Sequence, residues 1–318
     1  MNDRPRAIVF PGQGCQRPGM GKDFYDESAV ARDVYREASE ALGYDVAALC
    51  FGEDHRLNLS EYSQPCILTT EIAMHRVVVE RWDPHTVCFG GHSLGEYTAL
   101  VAAGVIPFAD ALRLVQARGK LMQQAAPPGM GGMAALIAED LSPEELEPML
   151  NGLPVDIANI NSTMQVVISG ETRGLDEAES RIDRAWRFRP YFRYVQLFVS
   201  APFHSRFMNA IKRPFREVLE GIRNTLDPSA ANRVTCNYTG TFHDPDHDSI
   251  IERLVAQLSG AVRWTDNMAA IASRAGDILE IGPGRPLREF FKTVNIACRS
   301  ITTVNAAERV FAGADEPS

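Results

Sequence analysis

The stretch Thr86-Val-Cys-Phe-Gly-Gly-His-Ser-Leu-Gly-Glu-Tyr97 decides how this chain is read. Thr86 to Phe89 has the look of a short buried strand. Gly90-Gly91 stops it, and an apolar run suited to a helix follows Ser93. Within the stretch, Gly91-His92-Ser93-Leu94-Gly95 matches G-x-S-x-G, the turn that presents a serine oxygen between a strand and a helix. The turn is cramped, so glycines flank the serine. The helix N-terminus supplies free N–H groups where negative charge would develop.

The same alternation continues on both sides. Ala7 to Phe10 reads as a short buried strand ending in the breaker-rich loop Pro11-Gly12-Gln13-Gly14. Helical spacing marks Glu27 to Leu42, Gln64 to Arg81 and Asp110 to Ala125. Short buried strands between long helices predict a parallel sheet covered by helices. From about Met130 to Gln196 the rhythm changes. Met133 to Ile137, Val155 to Asn159, Gln165 to Ser169 and Arg193 to Leu197 read as strands, with helices from Ser142 and over Thr172 to Ala185. The order β-α-β-β-α-β is that of a ferredoxin-like unit. Helices then resume from Met208, Ile250 and Thr265, a strand is expected at Asp277 to Ile281, and residues after about Ala306 read as a frayed tail. The expected fold class is therefore α/β: an α/β-hydrolase-like parallel-sheet domain over 1–129 and 198–318, with an inserted ferredoxin-like subdomain over 130–197.

Composition narrows the function. The chain has 318 residues, 45% hydrophobic and 23% charged, which excludes a disordered or fibrous protein. A net charge of −9 argues against a general nucleic-acid binder. The six cysteines are scattered without a C-x-x-C pair, so neither a disulfide scaffold nor a zinc site is expected. Ala7 to Phe10 is too short for a signal-peptide core, and the apolar stretch Tyr97 to Phe108 is too short to span a membrane. A soluble, cytoplasmic protein is the expectation. There is no Rossmann or P-loop glycine signature, and no metal is expected: His243 and His247 read as part of a solvated Asp-rich loop.

A serine nucleophile needs a base. Of seven histidines, His92 adjoins Ser93 and points elsewhere, His75 lies mid-helix, and His55 sits in a charged loop. His204 stands out, because it follows Val199-Ser200-Ala201-Pro202-Phe203, where the chain returns to the larger domain.

Residues 8–20 (VFPGQGCQRPGMG), 90–97 (GGHSLGEY), 116–122 (QARGKLM), 199–208 (VSAPFHSRFM), 257–264 (QLSGAVRW) and 280–287 (EIGPGRPL) together resemble the malonyl-CoA:acyl-carrier-protein transacylase family. The likeness runs from about residue 7 to 305. The chain also resembles the discrete acyltransferases that serve polyketide synthases lacking built-in ones. The resemblance implies an α/β-hydrolase-like domain with an inserted ferredoxin-like subdomain. It further implies malonyl transfer from malonyl-CoA to the phosphopantetheine thiol of an acyl carrier protein, in fatty-acid or polyketide synthesis. Malonyl-CoA is then a substrate, and no cofactor, nucleic acid or membrane is involved.

Residue by residue, the resemblance makes Ser93 the nucleophile and His204 its base. Gln257 takes the place of the main-chain carbonyl that holds the other histidine nitrogen. Gln13 and Leu94 would supply the oxyanion hole through backbone N–H groups. Arg118 would pair with the free malonyl carboxylate, a natural partner for a buried acid. Leu94 and Phe203 hold the places of a malonyl-selecting pattern, in which bulk at Phe203 crowds an α-methyl branch. Two departures stand out: Ala201-Pro202-Phe203 follows neither usual form, and Cys15 replaces a commoner serine, as a small packed residue. The densest basic cluster is Arg181, Arg184, Arg187, Arg189 and Arg193, and carrier-protein docking is expected at Arg184 and Arg187. An acyl-carrier-protein hydrolase of the same fold is the competing reading. It would use Ser93 and His204 but leave Arg118 without an acid to bind.

Overall fold

A computed structural model describes residues 5–127, 129–199 and 201–312. Its eight strands are β1 (Arg6–Phe10), β2 (Thr86–Gly91), β3 (Gly131–Ile137), β4 (Val155–Ser162), β5 (Gln165–Glu171), β6 (Arg193–Leu197), β7 (Asp277–Ile281) and β8 (Cys298–Ile301). They form two sheets, ordered β2-β1-β7-β8 and β4-β5-β3-β6.

The first sheet is wholly parallel. β1 lies inside it, so its side chains are buried on both faces. Ile8 and Phe10 join the large core beneath the helices Ala29–Leu42, Ser60–Trp82 and Phe108–Gln124. Ala7 and Val9 face the opposite core, built around Trp264, Met268 and Phe291. Burial on two faces is why this strand reads as an unbroken apolar run.

The second sheet is antiparallel throughout, with the order of a ferredoxin-like unit. Its two faces differ. Ala134, Leu136, Val166 and Ile168 pack under the helices Pro143–Leu150 and Thr172–Trp186. Met133, Ala135, Val167 and Leu197 point the other way, into a cleft over the first sheet. Backbone bonds across Val262, to Ala158 and from Ile160, tie β4 to the larger unit.

One expectation is corrected at the C-terminal end. Residues 304–312 are a helix and not a frayed tail, and Phe311 stacks on Trp82 at 5.0 Å. Residues 313–318, the end of that expected tail, lie outside the described residues. Strand β8 went unread because it has four residues, two of them Arg299 and Ser300. The helix Pro286–Thr293 opens directly after Gly282-Pro283-Gly284. Among the described residues, no helix is long and apolar enough to cross a membrane.

Candidate active site

Ser93 stands between β2 and the helix Leu94–Ala102, with φ 52° and ψ −98°. A non-glycine residue with this backbone is strained, and such strain collects at functional sites. The flanking glycines are sterically required. A Cβ on Gly91 would lie 2.0 Å from the backbone of Gly95, and one on Gly95 would lie 2.2 Å from the carbonyl oxygen of Phe10. The turn therefore closes tightly against the end of β1, which delivers Gln13 to the same cleft.

His204, also at positive φ (54°), reaches the serine from the far side. The Ser93 hydroxyl lies 2.7 Å from His204 Nε2, and His204 Nδ1 lies 2.8 Å from the carbonyl oxygen of Gln257. A carbonyl can only accept, so Nδ1 carries the proton and Nε2 is left as the acceptor for the serine O–H. Burial, and then the Arg118 charge, push the His204 imidazole down to about 3. It is neutral near pH 7, the state a base needs.

Arg118 is 1% exposed, on the helix Phe108–Gln124. Its Nη2 donates to Ser93 Oγ and to Gln257 Oε1, both at 3.0 Å. Nη1 donates to Gln64 Oε1 at 3.0 Å, and the guanidinium lies over the Tyr97 ring at 5.1 Å. Nε is buried with no protein partner. Every one of these hydrogen-bond acceptors is neutral. Among the described residues, no carboxylate comes within ion-pair reach of Arg118. Burial lowers the Arg118 pKa from its usual value and outweighs the opposing effect of its neighbours Tyr97 and Glu96, neither of which pairs with it as a salt bridge.

The cleft has a volume of about 900 Å³ and is lined by Gln13, Ser93, Arg118, Phe203 and His204 on one side and the second sheet on the other. That is ample for an extended acyl thioester. Leu94 is fully buried as the first residue of its helix, and its N–H is one of those with no partner inside that helix. His92 faces the second sheet, where its Nε2 lies 2.8 Å from Asn161 Oδ1. Ser200, within the motif that precedes His204, lies outside the described residues.

One expectation is not met. His243 is no solvated loop residue: it is buried, with Nε2 2.8 Å from Glu96 Oε1. Arg184 and Arg187 are exposed but stand at the end of a helix on the sheet face turned away from Ser93, and Arg187 pairs with Asp183. The helix layer covers that face, so these two arginines do not border the cleft. Sequence reasoning also missed Gln64, Glu96 and Asn237. The signal for Glu96 was present: a single carboxylate in the apolar helix LGEYTALVA. Asn237 carried none, since it comes from a loop distant in sequence.

A serine and a neutral histidine beside a buried arginine, on a parallel α/β sheet, form an arrangement suited to acyl chemistry through a seryl ester. Residues 7–275 match the acyl transferase domain family. The chain belongs to that family. It is 37% identical over 292 residues to the malonyl CoA-acyl carrier protein transacylase of Escherichia coli strain K12, covering 91% of this chain and 92% of that protein. It also resembles the malonyl-CoA:acyl carrier protein transacylase structure from Xanthomonas oryzae pv. oryzae, with TM-score 0.89 and 33% identity over 98% of this chain and 99% of that one. A malonyl-transacylase solved in complex with a type II PKS acyl-carrier protein superposes with TM-score 0.87 and 34% identity, over 97% and 99% of the two chains.

Proposed function

We propose that this chain moves a malonyl group from malonyl-CoA to the phosphopantetheine thiol of an acyl carrier protein. The observation that carries the reading is Arg118: a buried cation bonded to Ser93 Oγ and surrounded by neutral acceptors. An acyl group ending in a carboxylate would supply the missing counter-charge beside the reacting oxygen.

Ser93 Oγ attacks the thioester carbonyl as its proton passes to His204 Nε2. The backbone N–H groups of Gln13 and Leu94 receive the oxyanion. Collapse expels coenzyme A, whose sulfur takes the proton from His204. The carrier thiol then attacks the seryl ester, giving its proton to His204, and Ser93 recovers a proton on release. Gln257 keeps the imidazole oriented through its carbonyl oxygen. Phe203, buried against the cleft, crowds an α-methyl branch. The scheme uses side chains and backbone alone.

The test is covalent labelling. Incubated with malonyl-CoA, the protein should gain the mass of one malonyl group, while Ser93→Ala should gain none and His204→Ala should acylate more slowly by orders of magnitude. A labelled Ser93→Ala protein would reject the scheme. Water releasing the label faster than a carrier thiol does would favour the hydrolase.

A further inference from the structure

Behind the nucleophile lies a buried polar cluster with no direct contact to the reacting atoms. Glu96 is fully buried, three residues after Ser93. Its Oε2 accepts from the backbone N–H of Asn237 at 2.9 Å and from Gln257 Nε2 at 2.7 Å, and its Oε1 faces His243 Nε2 at 2.8 Å. Asn237 is committed in turn. Its Oδ1 accepts from the Ser93 N–H at 2.6 Å, and its Nδ2 donates to the Gly91 carbonyl at 2.8 Å and to Asn267 at 2.9 Å.

This wiring decides which way the Gln257 amide points. The Asn237 N–H can only donate, so Glu96 Oε2 is an acceptor there, and its other partner must be the Gln257 NH2 group. The second N–H of that group donates to the Ser93 carbonyl at 3.0 Å. With both N–H bonds committed, Gln257 Oε1 is left facing Arg118, where it accepts from Nη2. A flipped amide would set an NH2 group against the guanidinium, donor against donor.

We propose that Glu96 is a positioning residue: its carboxylate orients the Gln257 amide and the Asn237 backbone, and through them places Arg118 and the Ser93 turn. The inference rests on the reading of Arg118 as the partner of an acidic acyl group. Reach is the property assigned here to Glu96; its charge also acts on Arg118 from behind Gln257, and replacing Glu96 by glutamine separates the two. A glutamine could accept from Asn237 and Gln257 through its oxygen while its NH2 met His243 Nε2, the His243 proton then standing on Nδ1, a buried nitrogen with no protein partner in this structure. An aspartate keeps the charge but is one methylene too short to meet all three partners.

Glu96, Cys236 and His243 also bring potential metal-ligand atoms within 4.8 Å of one another. The carboxylate oxygens are already engaged by three protein groups, which argues for a hydrogen-bond hub.

The experiment compares wild type, Glu96→Gln and Glu96→Asp for acylation of Ser93 by malonyl-CoA and by acetyl-CoA, per folded protein, with thermal melts and metal content alongside. Glu96→Asp should lose up to about 100-fold in malonyl acylation, the size of a misplacement of about 1 Å caused away from the chemistry, and less in acetyl acylation. Glu96→Gln should rescue most of the rate and the malonyl-to-acetyl ratio. Aspartate outperforming glutamine would overturn the proposal, as would both rates falling in step with the melting temperature. Stoichiometric metal required for activity would do so too. Wild-type labelling tests the transferase reading separately: no malonyl label there would reject that reading before the variants are compared.

Discussion

Arg118 and His204 both reach the Ser93 hydroxyl, and the charge of the first acts on the second. The arginine charge disfavours an imidazolium, and burial and that charge together hold His204 at about 3. The acid limb of the acylation rate should therefore lie well below the ordinary histidine value of about 6.5. Replacing Arg118 by alanine removes the cation, favours the imidazolium and raises the histidine pKa, so the acid limb should move to higher pH. Acetyl-CoA is the better probe, because its acyl group offers Arg118 no carboxylate. An acid limb at the same pH in both proteins would show that Arg118 does not act on His204. In the same variant malonyl transfer should fall more than acetyl transfer, through loss of a charge-assisted pair worth about 1.5–3 kcal/mol. Equal losses would leave Arg118 a structural role only.

At the scale of elements, the turn between β2 and the helix Leu94–Ala102 is held against the end of β1 by close backbone contact. Gly95→Ala would put a methyl group 2.2 Å from the Phe10 carbonyl and 2.7 Å from that of Pro11. Neither is a side chain that could swing away, so the helix and the Gln13 loop would have to separate. Overpacking of this kind costs about 1–3 kcal/mol. The expected result is a lower melting temperature together with acylation reduced beyond the loss of folded protein, since the proposed oxyanion donors, the Gln13 and Leu94 N–H groups, sit on the two parts forced apart. Acylation at the wild-type rate would mean that the contact does not set the site. The C-terminal helix Val304–Ala312 makes the contrasting case. Phe311 is buried against Trp82 and lies outside the cleft. Phe311→Ala should cost about 3 kcal/mol in unfolding free energy while the folded enzyme keeps its acylation rate. A variant with unchanged denaturant midpoint would show the tail to be dispensable.

For the molecule as a whole, the site is where two sheets meet. Ser93, Gln13 and Arg118 rise from the parallel-sheet unit, the antiparallel sheet roofs them, and His92 bonds across to Asn161 at 2.8 Å. The chain by itself determined a good deal of this. Strand-helix alternation, the glycines around Ser93 and the β-α-β-β-α-β order are local patterns, each imposed by backbone sterics or by side-chain periodicity within a few residues. They sufficed for seven of the eight strands, β8 being the exception, for the serine turn and, with the motifs around Gln13, Arg118, His204 and Gln257, for residues that the fold brings together at one cleft. Burial and pairing between distant segments were left to the tertiary structure. It set Arg118 in a buried ring of neutral acceptors and joined His243 to Glu96 across 147 positions of the chain. It also carried Arg184 and Arg187 to the outer face of their sheet. A side chain's charge is written in the sequence, but whether that charge is solvated, paired or left waiting depends on which segments fold against it, and that is decided only when the whole core closes.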